Sequence, residues 1–386
     1  MVRWIARTLV VAAAALIAPQ QADALPEDPG TTAYKVHAAS ATLLAKTLSL
    51  DLYVPAASAP APAVVLGHGF ARNKGVMAGW GKLLASRGYV AAAPNFPGPL
   101  PDHTLNGKLM SALLGWMVTQ GATSGTPLSG RVDGTRRAVM GHSAGGLAAL
   151  LAASADKQID VVIGLDPVDV SALAQKAAPA IAAPVVFIRA QPGACNSNGN
   201  AAAIYKLLKA PRMTLTVVKA THCDPELPSG PLCTAVCGGT AAPRQARFRR
   251  YAMAALDHVL RCDKSSAQWL GGSAAKGDAL VSGLDSSGFP PNQLGCAAAP
   301  DAGLDQGPDV GTVDGATQPS DGPAVDSAPG ADGLPPTADA GDDPEVDDSG
   351  CGCGIHRCTP RGHVLQVWLL LAAVLGVLVL RVSRGR

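Results

Sequence analysis

One serine lies where an apolar run meets a helical pattern. Ser143 is the centre of Gly141-His142-Ser143-Ala144-Gly145, which has the form Gly-x-Ser-x-Gly. A strand that turns this sharply into a helix needs small neighbours, because added side chains would collide with the strand or the helix. The turn lifts the hydroxyl clear of the sheet edge, beside the positive end of the helix that follows. The motif therefore predicts an oxygen nucleophile at Ser143.

A serine hydroxyl needs a general base, and the base needs an acid to orient it. The expected base is His222, which follows the last apolar strand pattern in VVKATHCDPE. His142 stands beside the nucleophile, where the geometry of the turn should point its ring away. His258 lies in a helical pattern, which favours a structural role.

Two aspartates are candidates for the orienting acid. Asp166 ends the run VVIGLD and Asp169 follows one turn later, so either keeps the order Ser, Asp, His. We favour Asp166, because it stands at the tip of a strand. The loop after the next strand, QPGACNSNGN, contains no acid, and Asp224 is too close to His222 in sequence to orient its ring.

Stabilising an oxyanion takes two N–H donors. The residue after the nucleophile, Ala144, supplies one expected amide. The turn Gly67-His68-Gly69 can aim the amide of Phe70 at the same point, and its histidine is expected to be scaffold. Acyl transfer to water by such a site requires no metal or cofactor.

Strand and helix patterns alternate along the chain. The expected strands cover 47–56, 61–69, 89–95, 136–142, 159–166, 183–190 and 212–222, and the expected helices cover 74–88, 105–120, 144–154 and 244–260. Short continuous apolar strands between helices predict an α/β fold whose mostly parallel sheet is covered on both faces. Ligands of such sheets bind at the carboxyl ends of the strands.

The two ends of the chain read as targeting segments. Residues 1–24 have a basic start, a short apolar stretch and a small-residue cleavage site, the plan of a secretory signal peptide. Residues 364–380 form an apolar run of near-spanning length followed by arginines. Together with the preceding cysteines, residues 351–386 resemble the myxobacterial C-terminal sorting signal, which implies surface export with processing near Cys351 or Cys353. A zinc knuckle is the alternative, made of Cys351, Cys353, His356 and Cys358, but this spacing is cramped for zinc.

Between these ends the composition changes once. Residues 25–296 predict one catalytic domain, whereas residues 297–350 are rich in Ala, Asp, Gly and Pro and contain no Lys or Arg. Such a segment buries too little apolar surface to fold and predicts a disordered acidic stalk. The domain has no arginine stripe with interleaved aromatics, so we expect no nucleic-acid partner.

Cysteine usage agrees with export. The predicted domain holds six cysteines behind a signal peptide, which indicates disulfides. We expect Cys262 to pair with Cys296 and so pin the tail; the pairing of the other four stays open.

LGHGF, GHSAGG, GLDPVD and THCD occur in that order. Over residues 35–262 this chain resembles the chlorophyllase-like branch of the α/β-hydrolase superfamily, close to dienelactone-hydrolase-like and polyester-hydrolase-like (cutinase-like) enzymes. The resemblance implies the α/β-hydrolase fold, with Ser143 as nucleophile, Asp166 as acid and His222 as base. Plant chlorophyllases carry an arginine where this chain has Ala144, so the mechanism transfers and the chlorophyll substrate does not.

The sequence therefore predicts a secreted, surface-tethered serine hydrolase that cleaves carboxylic esters, whether lipid, polyester or small ester. No insert is large enough to form a lid, which favours an open site. We expect a monomer, held to the membrane by the C-terminal helix at the outer surface of the cell envelope. The alternatives are amide hydrolysis by the same residues and a non-catalytic surface protein that uses the scaffold for binding.

Overall fold

Continuous apolar runs form the central strands of one sheet. The computed structural model describes residues 25–98 and 101–289. The strands within them are β1 (Tyr34–Leu43), β2 (Lys46–Pro55), β3 (Ala61–Gly67), β4 (Val90–Pro94), β5 (Val132–His142), β6 (Val161–Leu165), β7 (Val185–Arg189), β8 (Arg212–Val217) and β9 (Val281–Gly288).

The sheet has the strand order β1-β2-β4-β3-β5-β6-β7-β8-β9. The six strands from β4 to β8 in this order run parallel, whereas β1, β2 and β9 run antiparallel to their neighbours. A mostly parallel sheet with antiparallel margins and helices between its strands is the α/β-hydrolase fold, so the predicted fold class is confirmed.

The helices cover both faces of this sheet. They are α1 (Ala78–Ser86), α2 (His103–Ala122), α3 (Ala144–Ala155), α4 (Leu173–Ala177), α5 (Ala201–Leu207), α6 (Pro231–Cys237), α7 (Ala242–Arg261) and α8 (Ser273–Lys276). Successive strand residues point to opposite faces, so Val139 packs in the core beneath α2 and α3, and Met140 packs in the core beneath α1 and α7.

The register of the parallel strands brings their carboxyl ends to one edge. Gly67 pairs with Gly141 across β3 and β5, and Leu165 pairs with both His142 and Ile188. The residues that follow β3, β5, β6 and β7 are therefore neighbours, and the candidate site lies among them.

The sequence patterns missed the margins of the sheet. β1 and β9 were not predicted, and β9, rather than the long amphipathic helix, is the last described element. β9 reads VSGLDSSG and is largely open to solvent, so it lacks the apolar run that marks a buried strand.

The predicted targeting segments lie outside the described residues. This applies to the signal peptide (1–24), the stalk (297–350) and the anchor segment (351–386). Within 25–98 and 101–289, the helices are all too short or too polar to cross a bilayer.

Candidate active site

Ser143 occupies the corner between β5 and α3. Its φ of 55° and ψ of −120° lie in a region that side-chain-bearing residues rarely adopt. A Cβ at Gly141 would collide with the carbonyl of Gly145, and one at Gly145 would collide with the carbonyl of Gly67. The strained corner therefore requires both glycines of the motif.

Three side chains from three different loops form one hydrogen-bonded chain. The Ser143 Oγ lies 2.9 Å from His222 Nε2, and His222 Nδ1 lies 2.6 Å from Asp166 Oδ2. With Nδ1 donating to the carboxylate, Nε2 is free to accept the serine proton. The structure thus brings together the three residues that the sequence proposed as nucleophile, base and acid.

This site is more enclosed than the sequence suggested. We expected the corner to expose Ser143, but only 8% of Ser143, 8% of His222 and 1% of Asp166 is accessible. The ring of His222 covers the serine from one side. Gly69, in the turn after β3, approaches from another, since a Cβ there would lie 3.2 Å from the Ser143 Cβ.

The Asp166 carboxylate has neutral donors as well as the histidine. Its Oδ1 accepts from the Ala190 backbone N–H at 3.0 Å, and the Asn196 side chain donates to Oδ2 at 3.0 Å. The sequence reasoning missed Asn196, because the loop QPGACNSNGN was searched for acids only. Asn196 lies in the loop after β7, at the same carboxyl edge of the sheet as Asp166, and that position was the available signal.

The two rival aspartates have structural contacts. The Asp169 carboxylate accepts from the Ala174 and Gln175 backbone N–H groups at 2.8 and 3.1 Å, which satisfies two donors in the first turn of α4. Asp224 is fully buried and pairs with Arg244 at 2.7 Å. Neither carboxylate has a described hydrogen bond to His222.

An open cleft lies beside the serine. Its volume is about 420 Å³, counting space open to solvent, and Phe70 and Ala144, the two proposed oxyanion donors, both line it. Phe96 adds an aromatic wall, and Phe70 is 52% exposed. The cleft is thus accessible, and its lining combines aromatic residues with polar ones, among them Arg72 and Asn106.

His68, also in the cleft lining, holds the loops together. Its Nε2 accepts from the Phe96 backbone N–H at 3.1 Å, and its Nδ1 donates to the Gly69 carbonyl at 2.9 Å. Burial disfavours the charged ring and lowers the pKa of His68. A neutral, doubly bonded ring fits the scaffold role expected from the sequence.

His142 contacts His222 rather than merely pointing away. Its ring lies 4.6 Å from that of His222, and its Nε2 donates to the His222 carbonyl at 2.8 Å. Complete burial is the main reason that the pKa of His142 lies well below its usual value, and the nearby His222 lowers it further. Behind it, Glu226 is bound to Arg72 at 2.7 Å, which connects the His222 loop to the loop of Phe70.

Two neighbouring disulfides hold the loops that carry His222 and Asn196. Cys223, next to His222, is bonded to Cys233, and Cys195, next to Asn196, is bonded to Cys237. Three of these sulfur atoms lie within 4.8 Å of one another, a grouping that the two adjacent disulfides explain. Cys262 is also disulfide-bonded; Cys296, its predicted partner, lies outside the described residues.

Comparison with known proteins finds a PET hydrolase-like family model and two cutinases that are similar to part of this chain. Residues 47–231 match the PETase family model, described as PET hydrolase-like. Cutinase est1 and Cutinase est2, both of Thermobifida alba, are 29% and 28% identical to the chain over 116 residues. That alignment covers 30% of this chain and 38% of each relative. Of the three branches suggested by the sequence, these similarities favour the polyester-hydrolase-like one.

Proposed function

We propose that this protein is a serine hydrolase that cleaves carboxylic esters through an acyl-enzyme on Ser143. The observation that carries the proposal is the continuous chain of hydrogen bonds from Ser143 through His222 to Asp166. The strained serine corner and the neighbouring cleft provide the nucleophile and a place for its substrate.

The first half of the reaction forms the acyl-enzyme. Ser143 Oγ attacks the ester carbonyl while His222 Nε2 takes its proton, and Asp166 stabilises the imidazolium that results. The backbone N–H groups of Phe70 and Ala144 are assigned to the oxyanion. His222 then gives its proton to the leaving alcohol as the ester C–O bond breaks.

The second half returns the enzyme to its starting state. A water molecule gives its proton to His222 and attacks the acyl carbonyl, and the proton returns to Ser143 Oγ as the acid leaves. Both steps use the same three side chains and the same two backbone N–H groups.

The substrate class that we propose is an uncharged ester, and in particular a polyester. The cleft is open and bears aromatic residues, among them the half-exposed Phe70. The relatives' names, cutinase and PET hydrolase-like, supply the polyester assignment. Amide hydrolysis is the competing activity, since the same residues serve it.

The direct test compares wild-type protein with Ser143→Ala on p-nitrophenyl esters of rising acyl length, on an aliphatic polyester film and on a matched anilide. We expect ester and film hydrolysis by the wild type, with a loss on the order of 10³-fold or more in the variant. Equal rates in the two proteins, with contaminating esterase excluded, would refute the catalytic assignment.

We further propose that the enzyme is exported and tethered to the cell surface. The support is in the sequence: a signal-peptide pattern over 1–24, an acidic stalk over 297–350 and an apolar run over 364–380. The disulfides of the domain suit an oxidising compartment. Protease added to intact cells should remove the domain; a domain recovered from the cytosol, or protected until lysis, would contradict the tether.

A further inference from the structure

The loop between β7 and α5 brings a buried amide to the acid of the triad. Asn196 ends the 3-10 turn Ala194–Asn196 and is 1% exposed. Its Nδ2 lies 3.0 Å from Asp166 Oδ2 and 3.3 Å from Oδ1. Asn196 therefore contacts the same carboxylate that receives His222 Nδ1.

The orientation of this amide is fixed by its other contacts. Asn196 Oδ1 accepts from the backbone N–H groups of Gly193 at 2.8 Å and Gly199 at 3.0 Å. Backbone N–H groups only donate, so the atom that faces them is the oxygen, and the NH₂ group must face Asp166. The Nδ2 also donates to the Gln191 carbonyl at 2.9 Å, which satisfies the whole side chain.

The Asp166 carboxylate accepts hydrogen bonds from neutral donors as well as from His222. The Ala190 backbone N–H and the Asn196 amide supply these bonds. Within the described ranges, the only ion pair recorded for Asp166 is the one with His222. Two other titratable groups among the described residues face the pair. Arg189 on β7 is close enough to interact electrostatically with the Asp166 carboxylate, and the ring of His142 contacts that of His222.

We propose that Asn196 is a positioning residue of the triad, which holds the Asp166 carboxylate toward His222 Nδ1. Its effect on turnover rests on the proposed function; its effect on His222 does not. The turn that carries Asn196 is joined to α6 by the Cys195–Cys237 disulfide.

The sign of the effect follows from charge. A hydrogen bond to a carboxylate spreads its negative charge, so without Asn196 more charge faces the imidazolium. The protonated form of His222 is then favoured, and the acid limb of the pH profile of kcat/KM moves to higher pH. Asn196→Leu keeps the approximate volume of the side chain and removes the same donor, so it should move the limb in the same direction.

The same loop provides a matched control. Asn200 is also bound at both ends of its amide, because Oδ1 accepts from Asp169 N at 3.0 Å and Nδ2 donates to Asp169 O at 2.9 Å. It has no recorded hydrogen bond to the triad among the described residues. Asn200→Ala therefore removes comparable loop contacts and leaves the Asp166 carboxylate untouched.

The experiment measures kcat/KM against pH for wild type, Asn196→Ala, Asn196→Leu and Asn200→Ala in the full chain. On p-nitrophenyl butyrate, Asn196→Ala should lose about tenfold to hundredfold, and its acid limb should rise by about half to one pH unit. Asn200→Ala should keep its acid limb. Thermal melting confirms that each variant is folded, and Asn196→Leu, which is close to asparagine in volume, serves if the alanine variant is not.

A second readout does not depend on turnover. The ring proton signal of His222, in protein with labelled histidine, is titrated by NMR in the same variants. We expect its midpoint to move upward in both Asn196 variants and to stay in place in Asn200→Ala. An unmoved midpoint in a folded Asn196 variant would overturn the inference, whereas a wild type without esterase activity would overturn only the proposed function.

Discussion

Replacing Asp166 by Asn should abolish catalysis while keeping the fold. The Asp166 carboxylate accepts a hydrogen bond from His222 Nδ1 at 2.6 Å, and Asp166 is 1% exposed. An amide there presents its NH₂ group to Nδ1, which favours the ring form that carries its proton on Nε2 and cannot take the Ser143 proton. Loss of the correct ring form costs about 10⁴-fold in kcat, or about 5 kcal/mol of transition-state stabilisation.

Asp169→Asn is the matched control for this substitution. The Asp169 carboxylate accepts from the Ala174 and Gln175 N–H groups of α4. Asparagine keeps one acceptor oxygen there, so the substitution should cost at most about 1 kcal/mol of stability. For a domain of this size that is a fall of at most about 2–4 °C in Tm, with kcat unchanged. Initial rates on p-nitrophenyl butyrate and thermal melts of both variants decide the matter. If Asp169→Asn lost more activity than Asp166→Asn, the acid would be misassigned.

Three further outcomes are expected. Gly145→Ala puts a Cβ against the Gly67 carbonyl, so the free energy of unfolding in urea should fall by about 1–3 kcal/mol, and an unchanged value would contradict the tight corner. His142 stays neutral when folded but takes up a proton near pH 6.5 when unfolded, so stability is lost as pH falls below about 6.5. The share of His142 in the slope of unfolding free energy against pH is up to about 1.4 kcal/mol per pH unit. His142→Asn should flatten that slope when stability is compared with its value at pH 8, and a slope equal to that of the wild type would exclude this role. Replacing Cys223 and Cys233 together by alanine should lower stability by about 2–4 kcal/mol and slow hydrolysis, since the disulfide adjoins His222; unchanged melting and rates would refute this.

The sequence was most informative where parallel strands end. Ser143 and Asp166 each follow a continuous apolar run, and such runs must lie side by side in a covered parallel sheet. Their meeting with His222 followed from chain order and strand polarity alone.

Other features depend on contacts between distant segments. Asn196 is a neutral amide in an irregular loop, and only the fold shows that it lies against Asp166. The enclosure of Ser143 comes from the turn at Gly69 and the ring of His222. Both are distant from Ser143 in the sequence, so no local sequence pattern indicates these contacts. β9 was missed because an exposed edge strand of small and polar residues carries no apolar run.

The central claim is that Ser143 carries the acyl group between two half-reactions. The direct measurement is rapid acid quenching of the protein with p-nitrophenyl butyrate, followed by intact mass and peptide mapping. We expect one butyryl group on the peptide that contains Ser143, formed in a burst with p-nitrophenol and absent from Ser143→Ala. A burst with the acyl group on another residue, or turnover by Ser143→Ala at the wild-type rate, would contradict the account.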